Sequence, residues 1–192
     1  AKQAGDKPTI YLASDSTVQS YDEYYQPQTG WGETLWDFFG EKIEQREVEG
    51  ASYTQAEIYE SENAIIENRA IGGRSSKSFI EEGKLDELLD DIKPDDYLLV
   101  QFGHNDATAA RPNRFVAVDE FKIWMQKYID GAKQRGATPV LVTPVARYSY
   151  NENGFKEDFK AYGDVMREMA ASQNLPLVDL SQASVALCNE FG

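Results

Sequence analysis

Five short, β-rich apolar runs alternate with longer amphipathic stretches, and no other feature of the sequence limits the fold so strongly. The runs are TIYLAS (9–14), AIIENRA (64–70), DYLLVQF (96–102), TPVLVT (138–143) and LPLVDL (175–180). Between them lie WGETLWDFF, SFIEEGKLDELLDDI, VDEFKIWMQKYIDGAKQRG and FKEDFKAYGDVMREMAASQ, each with apolar residues near i, i+3, i+4 and i+7, the period of a helix with one buried face. Strand and helix in alternation imply right-handed crossovers and a parallel sheet covered on both faces. The pattern predicts a flavodoxin-like three-layer α/β/α sandwich with a five-stranded parallel sheet. IKPDD (92–96) and RGATP (135–139) carry the Gly and Pro punctuation that ends a helix and admits a strand. Segment 41–63 is acidic and without a clear period, and reads as a charge-rich surface excursion.

The 192 residues suit a single domain, since domains commonly run to about 100–200 residues. Residues 1–8, AKQAGDKP, read as a polar tail or linker, and 9–192 as the domain. The net charge of -14 repels a phosphate backbone, so nucleic acid and anionic membrane surfaces are not the expected partners. No apolar run approaches the roughly 20 residues of a spanning helix. The one cysteine, Cys188, allows neither an internal disulfide nor a cysteine-based metal cluster. Oligomeric state is not encoded in any of these features.

In open α/β sheets, ligands bind beyond the carboxyl ends of the strands. The residues there are Ser14-Asp15-Ser16-Thr17, Gly72-Gly73-Arg74-Ser75, Gly103-His104-Asn105-Asp106 and Pro144-Val145-Ala146-Arg147. Acyl transfer needs a nucleophile, preorganised oxyanion donors and a base. Ser16, at a predicted strand-to-helix turn, can present a hydroxyl and a free amide. Gly73 lets a backbone N–H approach substrate with no Cβ in the way, and Asn105 can donate through its side-chain amide. Each also has a plain structural reading as cap or turn residue.

Together, SDST, NRAIGGRSSKSF and QFGHND resemble the first three sequence blocks of the SGNH (GDSL-type) hydrolases, most closely the rhamnogalacturonan acetylesterase-like carbohydrate esterases. The resemblance covers most of the chain and implies the SGNH hydrolase fold. It makes Ser16 the nucleophile, with the Ser16 amide, Gly73 N–H and Asn105 Nδ2 as the oxyanion hole. Asp15, Arg74, His104 and Trp31 become the expected substrate-facing residues, with Asp15 also bracing the loop. Ser14 stands where the family usually has glycine. The family takes its base from a C-terminal Asp-x-x-His, absent from these 192 residues, whose one histidine is His104. The expectation is therefore a domain lacking that segment, with activity impaired by its absence. Asp179, at the end of the fifth run, has no histidine three residues on to orient.

GGRSSKS (72–78) is not a phosphate-binding loop, because Ser76 stands where the Walker pattern needs glycine before lysine. Asp15, His104 and Asp106 make a weak metal set, so neither metal nor other cofactor is expected. Tyr21, Tyr24, Tyr25 and Trp31 offer a stacking platform for a sugar. Arg74, Lys77, Arg111, Arg114 and Arg147 lie near the rim of an acidic protein, suited to a uronate-bearing polymer or to surface ion pairs. The expected function is removal of O-acetyl groups from a plant cell-wall polysaccharide, pectin-like or xylan, by a secreted or cell-surface enzyme. The alternatives are a non-catalytic carbohydrate-binding module on the same fold, and a lysophospholipase or thioesterase.

Overall fold

In the computed structural model, which describes residues 6–191, strand β1 (Thr9–Ala13) opens the domain. Residues 1–5 of the expected tail, and Gly192, lie outside the described residues. There follow β2 (Lys42–Glu47), β3 (Glu57–Ser61), β4 (Ile65–Asn68), α1 (Ser76–Glu81), α2 (Lys84–Asp91), β5 (Tyr97–Val100) and α3 (Val118–Gln134). Then come β6 (Thr138–Val142), β7 (Tyr150–Asn151), β8 (Gly154–Phe155), α4 (Lys160–Gln173), β9 (Leu177–Val178) and α5 (Leu180–Phe191). The main sheet runs β2-β3-β4-β1-β5-β6-β9, while β7 and β8 form a separate small hairpin. The central members β4, β1, β5, β6 and β9 are mutually parallel, and they are the five apolar runs of the sequence.

Alternation along β1 explains the two faces. Tyr11 and Ala13 join Leu98, Val100, Phe102 and residues of α1 to α4 in the larger core. Ile10 and Leu12 face the other way, against Val18, Tyr59, Ala64 and Ile66. A Phe79, Phe102 and Tyr128 triad fills the centre of the larger core, with ring centroids 5.4–6.2 Å apart.

Two expectations are corrected. Segment 41–63 is not a loose excursion: β2 and β3 form a hairpin that extends the sheet to seven strands by antiparallel pairing onto β4. Only Tyr59 and Ser61 of β3 are buried, and Glu57 and Glu60 fall on opposite faces of the strand, which hides the period of two. Arg46 reaches Glu44 at 2.7 Å and Glu60 at 3.2 Å, and the charged β2 makes a poor template for edge-to-edge pairing. The predicted helix WGETLWDFF is instead a pair of 3-10 turns, Trp31–Glu33 and Leu35–Phe39, packed on the smaller core. Its glycines press onto the first loop: a Cβ on Gly30 would lie 2.1 Å from the Gln19 carbonyl oxygen, and one on Gly32 2.5 Å from that of Val18. This close approach holds the segment in a path that a regular helix would not follow.

SFIEEGKLDELLDDI likewise splits into α1 and α2 at Gly83, whose φ of +77° suits glycine. Behind the rim, the buried Arg69 reaches Glu67 through Nε at 2.8 Å and also pairs with Asp91, tying the end of β4 to α2.

Candidate active site

The loop after β1 turns at once instead of entering a helix. The Asp15 carbonyl accepts from Val18 N at 3.2 Å and Gln19 N at 3.1 Å. Asp15 Oδ1 accepts from Thr17 N at 2.9 Å and Thr17 Oγ1 at 2.8 Å. This Asx-type turn leaves Ser16 exposed at its apex. Among the described residues, the Ser16 N–H has no protein acceptor. Tyr21 caps the turn from outside by donating its hydroxyl to the Ser16 carbonyl at 2.6 Å.

The loop after β4 meets this apex. Arg74 N closes a turn onto the Ile71 carbonyl at 3.3 Å, and Gly73 occupies its third position with φ of +79°, where turns of this kind require glycine. A Cβ on Gly72 would lie 3.5 Å from Ser16 Cβ and 2.8 Å from Gln19 Oε1. Gly72 N donates to Gln19 Oε1, whereas the Gly73 N–H finds no acceptor among the described residues. The loop after β5 contributes Asn105, whose Nδ2 donates one hydrogen to the Arg74 carbonyl at 2.9 Å. Its Oδ1 accepts from Arg114 Nη1 at 2.8 Å. An amide nitrogen carries two hydrogens, so one remains for a ligand.

Gln101, the first residue of the QFGHND block, links three loops. Its Nε2 donates to Thr17 Oγ1 at 2.6 Å, and its Oε1 accepts from Trp31 Nε1 at 3.2 Å and Val145 N at 3.4 Å. Ser14, in the position where resemblance suggests glycine, is buried and donates to the Gln101 carbonyl at 2.5 Å. The larger residue is thus absorbed by a hydrogen bond.

The substrate contacts expected of Asp15 and His104 are replaced by internal ones. Asp15 is 0% and His104 6% exposed. His104 Nε2 lies 2.8 Å from the Val145 carbonyl, which can only accept, so this nitrogen donates. Nδ1 faces Asp15 Oδ2 at 3.3 Å, and these two buried atoms have no other partner. The ring also packs edge-on against Phe159, centroids 4.6 Å apart. His104 is therefore occupied inside the protein, away from the role of base.

Arg74 is half-buried, donating through Nη1 to the Gly72 carbonyl at 3.0 Å and through Nε to Glu82 at 2.8 Å. Trp31 is half-buried, with its indole N–H turned to Gln101 and its ring against the smaller core. Tyr24 and Tyr25 remain exposed and stack edge-to-face at 5.3 Å. Asp179 accepts two hydrogen bonds from Arg167, at 2.9 Å each, and one from Thr143 at 2.9 Å, a structural arrangement. Beside Gly73, a cavity of about 410 Å³ is lined by Arg74, Ser78, Glu82, Arg111, Asn113 and Arg114.

Asp106 anchors the rim from below. It is fully buried, its carboxylate accepting from Gly103 N at 3.1 Å, Ser76 N at 3.1 Å and Ser76 Oγ. Burial pushes its pKa up from 3.8 to about 7, although the Ser76 and backbone hydrogen bonds pull it down. Between those values the folded protein holds a proton that the unfolded chain has released. This group's contribution to stability is therefore complete below the lower value and declines as pH rises through about 7. Denaturant titrations from pH 4 to 8 should show that decline in the parent and a flatter profile in Asp106→Asn. An equal slope in both would show that Asp106 does not couple to folding.

The fold and rim define an α/β protein that presents an exposed serine, beside free backbone and amide donors, at the carboxyl edge of a parallel sheet. The model of the GDSL-like Lipase/Acylhydrolase family matches residues 15–190, and the chain belongs to that family. It is 42% identical over 184 residues to "Probable rhamnogalacturonan acetylesterase YesY" of Bacillus subtilis, covering 95% of this chain and 75% of the relative. It is 32% identical over 184 residues to "Rhamnogalacturonan acetylesterase RhgT" of the same organism, covering 95% and 69%. Among solved structures, the YxiM protein of Bacillus subtilis superposes with a TM-score of 0.78 at 26% identity. That match covers 97% of this chain and 47% of YxiM, so the chain spans about half of that structure.

Proposed function

We propose that this domain is a serine carbohydrate esterase that removes O-acetyl groups from a plant cell-wall polysaccharide of the rhamnogalacturonan type, acting as a secreted or cell-surface enzyme. The observation that carries this reading is the exposed Ser16 at the β1 apex, with the unclaimed Ser16 and Gly73 N–H groups and the spare Asn105 N–H gathered on the same rim. The two curated relatives named for rhamnogalacturonan deacetylation support the substrate class.

In this reading Ser16 Oγ attacks the acetyl carbonyl while a base removes its proton. The three N–H donors hold the negative oxygen of the tetrahedral intermediate. Collapse returns the proton to the departing sugar hydroxyl and leaves acetyl-Ser16. A water molecule, deprotonated by the same base, then releases acetate and restores the serine. His104 is committed to Asp15 and Val145, so the part of the base is not assigned to it.

The test is acetate release by the full-length protein. Acetylated rhamnogalacturonan should be deacetylated faster than acetylated xylan, and long-chain acyl esters barely at all. Preferential cleavage of long-chain esters would contradict the assignment in favour of a lipid or thioester substrate.

A further inference from the structure

The oxyanion donors are held by side chains that never need to touch the substrate. Arg114 lies nine residues after Asn105 in sequence, and a series of turns brings it back. Thr108 N bonds the Asn105 carbonyl at 3.1 Å, Arg111 N that of Thr108 at 3.0 Å, and Arg114 N that of Arg111 at 3.1 Å. Val116 N then anchors the return on the Asp106 carbonyl at 3.0 Å. The guanidinium ends between the two loops, Nη1 donating to Asn105 Oδ1 at 2.8 Å and to the Gly73 carbonyl at 3.1 Å.

We propose that Arg114 is a positioning residue for the oxyanion hole, fixing the orientation of the Asn105 amide and of the peptide that follows Gly73; this rests on the functional reading above. A guanidinium only donates and a carbonyl only accepts. Arg114 on Oδ1 and the Arg74 carbonyl on Nδ2 therefore allow the Asn105 amide one orientation, with its second N–H free. Without Arg114 the amide can rotate and present Oδ1, an acceptor, toward the developing negative charge. A charged donor on Oδ1 also polarises the amide and strengthens its N–H as a donor. At Gly73 the fit is close: a Cβ there would stand 3.1 Å from Nη1, so glycine leaves the room the guanidinium occupies. Arg74 acts similarly on the preceding peptide, bonding the Gly72 carbonyl opposite the Gly73 N–H.

A double-mutant cycle in the full-length protein tests this, using 4-nitrophenyl acetate, a neutral ester with no carboxylate for an arginine to bind. Removing one oxyanion donor costs about 10²–10³-fold in kcat. Arg114→Ala, which leaves the donor present but unfixed, should lose roughly 10- to 100-fold in kcat with little change in KM, and added guanidinium ion should restore part of the rate. In an Asn105→Ala background the same substitution should cost less than about 3-fold, since coupled residues are not additive. Equal losses in both backgrounds, a change confined to KM, or an unchanged kcat would each overturn the proposal. If Arg114→Ala does not fold, Arg114→Lys is put through the same cycle and read by the same criteria. Unchanged activity in Ser16→Ala would refute the serine mechanism itself, separately from the role of Arg114.

Discussion

Replacing His104 with alanine is expected to cost about 1–3 kcal/mol of folding stability for each buried polar group it leaves without a partner. The imidazole is 6% exposed and stands between Asp15 Oδ2 and the Val145 carbonyl. Its removal leaves a fully buried carboxylate oxygen facing a void and a carbonyl without its donor, and also removes the edge contact with Phe159. Small domains are stable by about 5–15 kcal/mol, so the variant should unfold at a markedly lower denaturant concentration. Equilibrium urea unfolding measures this. A loss below about 1 kcal/mol would mean that the ring is a replaceable filler and does not bind the loops after β1, β5 and β6 together.

That pair also shows where sequence reading reaches its limit. The five parallel strands were legible because an apolar run must be buried on both faces in such a sheet, and each of the five runs became a strand. The β2–β3 hairpin was not legible. Strand β2 is exposed along nearly its whole length and β3 buries only Tyr59 and Ser61, with Glu57 and Glu60 on opposite faces hiding the period. The 3-10 turns of 31–39 escaped for another reason: their helical spacing is genuine, but contact of Gly30 and Gly32 with the backbone of residues 18–19 overrides it. At the rim, motif and strand-end position picked out Ser16, Gly73 and Asn105, whose backbone settings depend on local sequence. The contact of Asp15 with His104, and that of His104 with Val145, were out of reach, because each is set by loops that meet only in the fold. The bridging by Gln101 and Gln19 carried no signal, since a glutamine that bridges loops looks like any other glutamine in sequence.

Replacing Ser16 with alanine should have the largest effect of all. On the proposed mechanism the substitution removes the atom that would form the acyl bond, yet it leaves the Asp15 turn and the neighbouring N–H donors in place, because no protein group among the described residues depends on the Ser16 hydroxyl. In a serine hydrolase, loss of the nucleophile lowers kcat by about 10⁶-fold, or about 8 kcal/mol at 1.36 kcal/mol per decade. Folding stability should stay within about 0.5 kcal/mol of the parent, as for an exposed substitution. The most direct measurement is 4-nitrophenyl acetate hydrolysis by the full-length protein, parent beside Ser16→Ala, with urea unfolding of both. A collapse of kcat to near the background rate with unchanged stability is the predicted result. A Ser16→Ala enzyme that keeps more than about a tenth of the parent rate would contradict the account, because the acetyl group would then not pass through Ser16.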